Sequence, residues 1–248
     1  MVSFNPFTLQ DKTILVTGAS SGIGRAIAIA CFHMGGRVII TGRNREHLEE
    51  TASFMSAETP ILCGDLTVEA ERREISSMLP ALDGLVQCAG IGNRTLCKSV
   101  SSEDIDSVMA SNFESPVLLQ AELLQKKKIK REASIVFIAS KAADFPSVGN
   151  AVYSASKGAI IAYAKVLALE LAPRRIRVNC ICPAMVWTNL IMQGGLTEED
   201  LRVEENQYPL KRYGTPEDIA NLSIFLLSEA SSWMTGSCID ITGGSLKL

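Results

Sequence analysis

The chain has 248 residues, 47% hydrophobic and 21% charged, with a net charge of -3. These values describe a soluble globular protein with room for one large α/β domain or two small ones. The slightly acidic balance argues against nucleic acid or an anionic membrane as partner, and no apolar stretch approaches the ~20 residues that span a bilayer.

Lys12 to Thr17 is a short apolar, β-branched run and predicts the first strand. A glycine-rich loop follows at once, and Arg25 to Phe32 predicts a helix stopped by Gly35-Gly36. A second strand is expected over 37–41 and a second helix over 44–56, with Asn44 as N-cap. Pro60 to Cys63 predicts a third strand, 68–79 a charged helix, and 82–88 a fourth strand. Residues 102–126 form a long helical stretch in which Pro116 predicts a kink or break. Lys126-Lys127-Lys128 suits the negative end of that helix and is expected to be solvated. The apolar run 134–139 predicts a buried fifth strand ending at Ser140. A helix beginning near Tyr153 and closing at Pro173 follows, then a sixth strand over 176–182. The pattern lapses from Pro183 to Tyr213, where Gly194-Gly195 and Glu198-Glu199-Asp200 suggest mobile or separately packed short helices. Thr215 and Pro216 open another helix as N-cap and first residue. Residues 237–241 form the last strand. Strands alternate with helices, with no repeat and no linker. This predicts one domain over 1–248, a doubly wound parallel sheet of the Rossmann type with helices on both faces.

Seven cysteines are scattered, with no Cys-x-x-Cys, so buried reduced thiols in a reducing compartment are expected. Met1 to Lys12 does not read as a secretory signal. The two histidines, His33 and His47, fall in predicted helices, and no metal site is expected.

Two constellations carry chemistry. The first is the loop Gly18-Ala19-Ser20-Ser21-Gly22-Ile23-Gly24 between a strand and a helix. Its glycines let the backbone approach a pyrophosphate that rests on the helix N-terminus. The spacing is neither G-x-G-x-x-G nor a P-loop. The second is Tyr153 with Lys157, four residues apart and so on one helix face. A phenol ordinarily gives up its proton near pH ~10, and a neighbouring ammonium favours the phenolate. Such a pair can exchange a proton with a carbonyl or alcohol oxygen. The Ser140 hydroxyl, at a strand's carboxyl end, is placed to bond the same oxygen.

With these residues the chain resembles the short-chain dehydrogenase/reductase family, in its compact single-domain branch, similar to the 3-oxoacyl-(acyl-carrier-protein) reductases. The match runs from about residue 10 to the end. The loop from Thr17 to Gly24 matches the family's cofactor loop, and Asp65 with Leu66 its adenine site. Asn112, Ser140, Tyr153 and Lys157 match its catalytic set, Asn112 helping to hold a proton-relay water. Pro183 to Thr188, including Val186, matches the segment beside the nicotinamide amide, and 240–244 the carboxyl-terminal signature. Two departures stand out. Asn-Ala-Gly after strand four reads Cys88-Ala89-Gly90, which removes an amide that usually ties the central strands. Pro-Gly after strand six reads Pro183-Ala184, whose methyl threatens to crowd the nicotinamide side.

The resemblance implies an NAD(P)(H)-dependent oxidoreductase that interconverts a carbonyl and a secondary alcohol, 3-oxoacyl reductase-like. The cofactor supplies the hydride, Tyr153 the proton and Ser140 an oxyanion hydrogen bond. Two other classes stand against this: a catalytically silent nucleotide-binding module, and a sugar-nucleotide epimerase or dehydratase. The second strand ends Thr41-Gly42-Arg43-Asn44, with no carboxylate for the adenosine ribose, and Arg43 can pair with a 2′-phosphate. NADP(H) is therefore expected over NAD(H), although Ser21 stands where NADP-preferring relatives often carry a second cation. The substrate is a small carbonyl or alcohol, with a wall from Arg94, Ala142, Asp144, Val148, Met185, Trp187, Leu190 and Ile191 and a lid over about 189–213. A cytoplasmic homotetramer is implied, pairing the Tyr153 and Asn112 helices across a two-fold axis, with the carboxyl-terminal strand at a second interface.

Overall fold

A computed structural model describes residues 5–145, 147–192 and 197–245. Seven strands form one parallel sheet: β1 (Thr13–Thr17), β2 (Arg37–Gly42), β3 (Ile61–Cys63), β4 (Leu82–Gln87), β5 (Ile129–Ile138), β6 (Arg177–Pro183) and β7 (Cys238–Ile241). Their order is β3-β2-β1-β4-β5-β6-β7. The order reverses between β1 and β4, and there the carboxyl ends of the strands open a crevice.

Period-two alternation divides the core into two layers. Ile14 and Val16 face one side with Ile27 of α1 (Gly22–His33), and with Ile219 and Leu226 of a late helix (Pro216–Leu227). Leu15 faces the other side with Leu119, Ile135 and Ile160. Each such aliphatic side chain contributes about 1.5–3 kcal/mol by leaving water.

The helices largely start where their caps predict. The Asn44 side chain accepts from His47 N at 3.0 Å and opens α2 (Arg45–Ser53). The charged helix follows as α3 (Glu69–Met78). The long stretch around Pro116 is two helices, α4 (Ser102–Met109) and α5 (Ser115–Gln125). A π-helical turn joins them over Ala110–Glu114. Pro116 has no N–H to offer the carbonyl four residues back, and the turn widens just before it.

The lysine run is not simply solvated. Lys126 Nζ reaches Ser76 and Ser77 side-chain oxygens at 2.6 and 2.7 Å, and Lys128 Nζ bonds the Leu79 carbonyl. Both cations therefore serve the carboxyl end of α3, across the sheet face. Strand β5 begins five residues before its apolar run. Leu82 pairs with Ile129 but Gly84 with Ser134, and Glu132 sits at φ 63° in the resulting bulge.

α6 (Ala151–Leu171) carries Tyr153. Contrary to the expectation from the sequence, it and its extension to Arg174 are long and apolar enough, by composition, to cross a membrane. It lies instead on the sheet, with Ile160, Ala164, Leu167 and Leu171 buried. Beyond β6 come α7 (Asn189–Met192) and α8 (Glu198–Glu205), then α9 (Pro216–Leu227), opened by a reciprocal capping box between Thr215 and Asp218. Gly194-Gly195 lies outside the described residues. All seven cysteines are free thiols, but Cys97 and Cys238 are exposed, against the expectation of burial.

Candidate functional site

The glycine loop is closed on itself. Gly18 has φ 67°, and a Cβ there would lie 2.8 Å from the backbone of Ala89. A Cβ on Gly24 would collide with the Gly18 carbonyl. Ser21 precedes α1 without capping it by a side-chain bond, so among the described residues the N-cap side chain leaves the first N–H groups of α1 to another acceptor. Such a cradle fits a pyrophosphate. Arg25, overlooked in the sequence, braces it. Its guanidinium donates to the Ser20 carbonyl at 2.7 Å and pairs with Glu50 at 2.6 and 2.9 Å, tying the loop to α2. Only a fork-shaped donor does this, and the signal is a pairing of residues 25 apart.

The other candidate cofactor residues line the same edge. A Cβ on Gly42 would lie 3.5 Å from the Ser20 hydroxyl oxygen, so the end of β2 abuts the loop. Arg43 is 65% exposed, with Nη1 3.9 Å from Asp65 Oδ2. Asp65 also accepts from the Thr67 N–H and hydroxyl, while the Leu66 side chain is buried in the core. The Thr17 hydroxyl accepts from Cys88 N at 3.0 Å and Ala89 N at 3.1 Å, which holds the turn after β4 where the family's amide is missing. Packing around the Cys88 sulfur pushes its thiol up to about 12, so it stays protonated.

Beyond Pro183, Val186 bridges Gly214 through Trp187 N and Met185 O. That leaves the Val186 N–H and C=O on the opposite side, while its side chain is buried. Thr188 faces the glycine loop, its methyl 3.3 Å from where a Cβ on Gly22 would stand. The Ala184 methyl packs with Leu201, Tyr208 and Tyr213, so the departure from glycine is absorbed there.

The candidate catalytic residues are drawn together by three elements. Lys157 is buried on α6, and its Nζ donates to the Ile138 carbonyl at 2.9 Å, two residues before Ser140. The same ammonium lies 5.8 Å from the Tyr153 ring centroid. Asn112 stands in the π-helical turn. Its amide accepts from Ile91 N at 2.8 Å and donates to Ile91 O and to the Ser156 hydroxyl, each at 3.0 Å. Ser156 passes the link to the Tyr153 carbonyl at 2.7 Å. Gly90 fits between, since a Cβ there would be 2.9 Å from Asn112 Oδ1 and 3.5 Å from Lys157 Nζ. The Ser140 side chain accepts from Ala142 N, and Lys141 Nζ, 2.5 Å from Asp240, pins the following turn to β7.

Of the expected substrate wall, Val148 is exposed, Arg94 packs beside Gly149, and Leu190 touches Gly92. Trp187 turns away into the cluster under α8. The lid expected over about 189–213 is described except for residues 193–196.

A dinucleotide cradle at the switch point of a parallel sheet, with a tyrosine and a buried lysine beside it, defines a nicotinamide-dependent oxidoreductase. The family model described as Enoyl-(Acyl carrier protein) reductase matches residues 18–245. The chain is 36% identical over 240 residues to the 3-oxoacyl-(acyl-carrier-protein) reductase FabG of Rickettsia felis, covering 97% of this chain and 99% of that protein. It is 34% identical to an L-xylulose reductase of Caenorhabditis elegans, over 96% and 97% of the two chains. A solved short-chain dehydrogenase/reductase (glucose/ribitol dehydrogenase) from Brucella melitensis superposes with a TM-score of 0.90 at 32% identity, over 97% and 98%. The chain belongs to the short-chain dehydrogenase/reductase family and is an enzyme acting between CH–OH and carbonyl groups with NAD(P).

Proposed function

We propose that this protein reduces the ketone of a 3-oxoacyl-type substrate with NADPH, through Tyr153, Ser140, Lys157 and Asn112. The observation that carries the reading is the Lys157–Ile138 bond, which locks the lysine under the strand end that bears Ser140 and one helical turn from Tyr153. NADPH, when bound, supplies the hydride. Tyr153 gives a proton to the substrate oxygen, Ser140 donates a second hydrogen bond to it, and Lys157 stands with its ammonium beside the Tyr153 ring. Asn112 holds the strand-four turn and α6 in register. Its backbone carbonyl has no N–H four residues on, because residue 116 is proline, and a relay water would be its partner in this reading.

The cofactor contacts run from Gly18, Ser20, Ser21, Gly22, Ile23 and Gly24 through Arg43, Asp65 and Leu66. They continue through Cys88, Ala89 and Gly90 to Pro183, Val186 and Thr188. Similarity to FabG supports the acyl substrate, and Arg43 supports NADPH. A nucleotide sensor would need the cradle but not the buried lysine. The enzyme acts in the cytoplasm as a homotetramer; exposed Leu118 on α5 and Val166 and Leu169 on α6 support helix-to-helix pairing.

The test is a panel of 3-oxoacyl thioesters, sugars and simple ketones with NADPH or NADH, read by nicotinamide absorbance. Fastest turnover of a 3-oxoacyl thioester is expected. Preference for a sugar would replace the substrate, and no turnover of any carbonyl would overturn the catalytic roles.

A further inference from the structure

The stretch after β6 turns alternate side chains to opposite sides. Val186 points into the core and Thr188 toward the glycine loop, while Trp187 goes the other way, onto Tyr213 with ring centroids 5.5 Å apart. The Trp187 indole Nε1 donates to Glu205 Oε2 at 2.8 Å, and the Tyr213 N–H lies 3.5 Å from the same oxygen. Glu205 closes the last turn of α8, and its side chain is only 16% exposed. Arg202 lies 5.3 Å over the indole and 3.8 Å from Glu205 Oε1. One carboxylate thus joins α8, the stretch 185–188 and the backbone that leads into α9.

We propose that Glu205 is a positioning residue: by holding the Trp187 indole it fixes Thr188 against the glycine loop, and so sets cofactor affinity from outside the cofactor crevice. The proposal rests on the reading above, in which Thr188 and the glycine loop hold a dinucleotide. It adds a linkage between the docking of α8 and the binding of nucleotide, each favouring the other. An indole has one N–H, and here its acceptor is a largely covered carboxyl group at 2.8 Å. Without that acceptor the indole N–H loses its hydrogen bond while the Arg202 contact over the ring face remains, and Thr188 is the next residue along the backbone.

The chain contains two tryptophans, and Trp233 is 98% exposed. Trp233→Phe therefore leaves Trp187 as the only indole and as a reporter. In that parent, NADPH is titrated against Trp187 emission, then again with Glu205→Ala and Glu205→Gln. Alanine is expected to weaken NADPH binding about tenfold, the scale of a lost hydrogen bond to a charged partner, and to shift the emission of the free protein to the red. Glutamine keeps an acceptor oxygen and is expected to stay within about threefold. Alanine binding as tightly as the parent, or glutamine binding as weakly as alanine, overturns the proposal. If alanine does not fold, Trp187→Phe in otherwise wild-type protein replaces it, read by nicotinamide fluorescence. About tenfold weaker binding supports the proposal and unchanged binding overturns it. A parent that binds neither NADPH nor NADH instead refutes the dinucleotide reading itself, and with it the proposal.

Discussion

The Lys157 ammonium lies 2.9 Å from the Ile138 carbonyl, a helix side chain spent on the last turn-ward oxygen of β5. That bond ties the turn of α6 that carries Tyr153 to the strand end that leads into Ser140. Tyr153→Phe keeps the ring and removes only the phenolic hydroxyl. Turnover is expected to fall by about 10²–10⁴, with NADPH affinity unchanged. Steady-state rates beside a binding titration check both halves, and near-normal turnover would remove Tyr153 from the mechanism.

Asn112 makes three hydrogen bonds with one amide. Asn112→Ala strands the Ile91 N–H and C=O and one bond of Ser156. The expected loss is about 2–4 kcal/mol, since each buried group left unpaired costs about 1–3. In a chain of this size that lowers the melting temperature by roughly 5–15 °C. Calorimetry of the variant tests it. An unchanged melting temperature would mean that the Ile91 backbone finds other partners.

Much of this frame is written locally in the chain. The Asn44 and Thr215 caps, the strand alternation and the glycine loop all act within a few residues, so sequence reasoning finds them. The misses are partnerships across space. Lys126 and Lys128 look like a solvated run until α3 is placed beside them, and Arg25 looks like an ordinary surface cation until Glu50 arrives from the next helix. Trp187 looks like substrate wall because its acceptor, Glu205, is 18 residues away and in another element. The Pro116 break is displaced upstream because a missing N–H is felt by the carbonyl one turn earlier.

Gly24→Ala tests the cradle itself. Its methyl would meet the Gly18 carbonyl, which is backbone and cannot swing aside. The loop must open, and the N–H groups of α1 then lose their common aim. Dinucleotide affinity is expected to fall at least about tenfold, or ~1.4 kcal/mol, with the far-ultraviolet circular dichroism retained. Wild-type affinity in this variant would show that the loop does not carry the pyrophosphate.

Acid sensitivity should be traceable to Asp218. Arg212 donates to its two oxygens at 2.6 and 3.0 Å and Thr215 N at 2.8 Å, and the Arg212 bonds above all hold the carboxyl below its usual range. A lowered folded value means that the unfolded chain takes up the proton first as pH drops. The stabilisation is complete above the unfolded value near ~4 and is lost as pH falls through the folded one. Asp218→Asn should therefore cost about 1 kcal/mol at neutral pH, with the gap to wild type closing in acid. Denaturant titrations at several pH values check this, and a gap that widens in acid would reverse the assignment.

The proposed preference for NADPH rests on what the end of β2 lacks as much as on what it has. Gly42 abuts Ser20 and itself offers no carboxylate to bind ribose hydroxyls. Arg43 stands next, 65% exposed, restrained by Asp65 only at 3.9 Å. A pair at that distance, with the guanidinium mostly in water, is worth well under ~1 kcal/mol, so a 2′-phosphate can recruit the arginine at little cost. The phosphate offers the guanidinium two oxygens in a planar fork, which NADH cannot do. Arg43→Ala is expected to weaken NADPH about tenfold while leaving NADH within about twofold, the size of one charge-assisted contact at an exposed site. Asp65→Asn, which removes the carboxylate 3.9 Å from the Arg43 guanidinium, should move the ratio the other way. Separate titrations of the two cofactors in wild type and both variants decide it. If wild type binds NADH as tightly as NADPH, or if Arg43→Ala leaves the ratio unchanged, the arginine is a surface residue of the turn and the cofactor preference lies elsewhere.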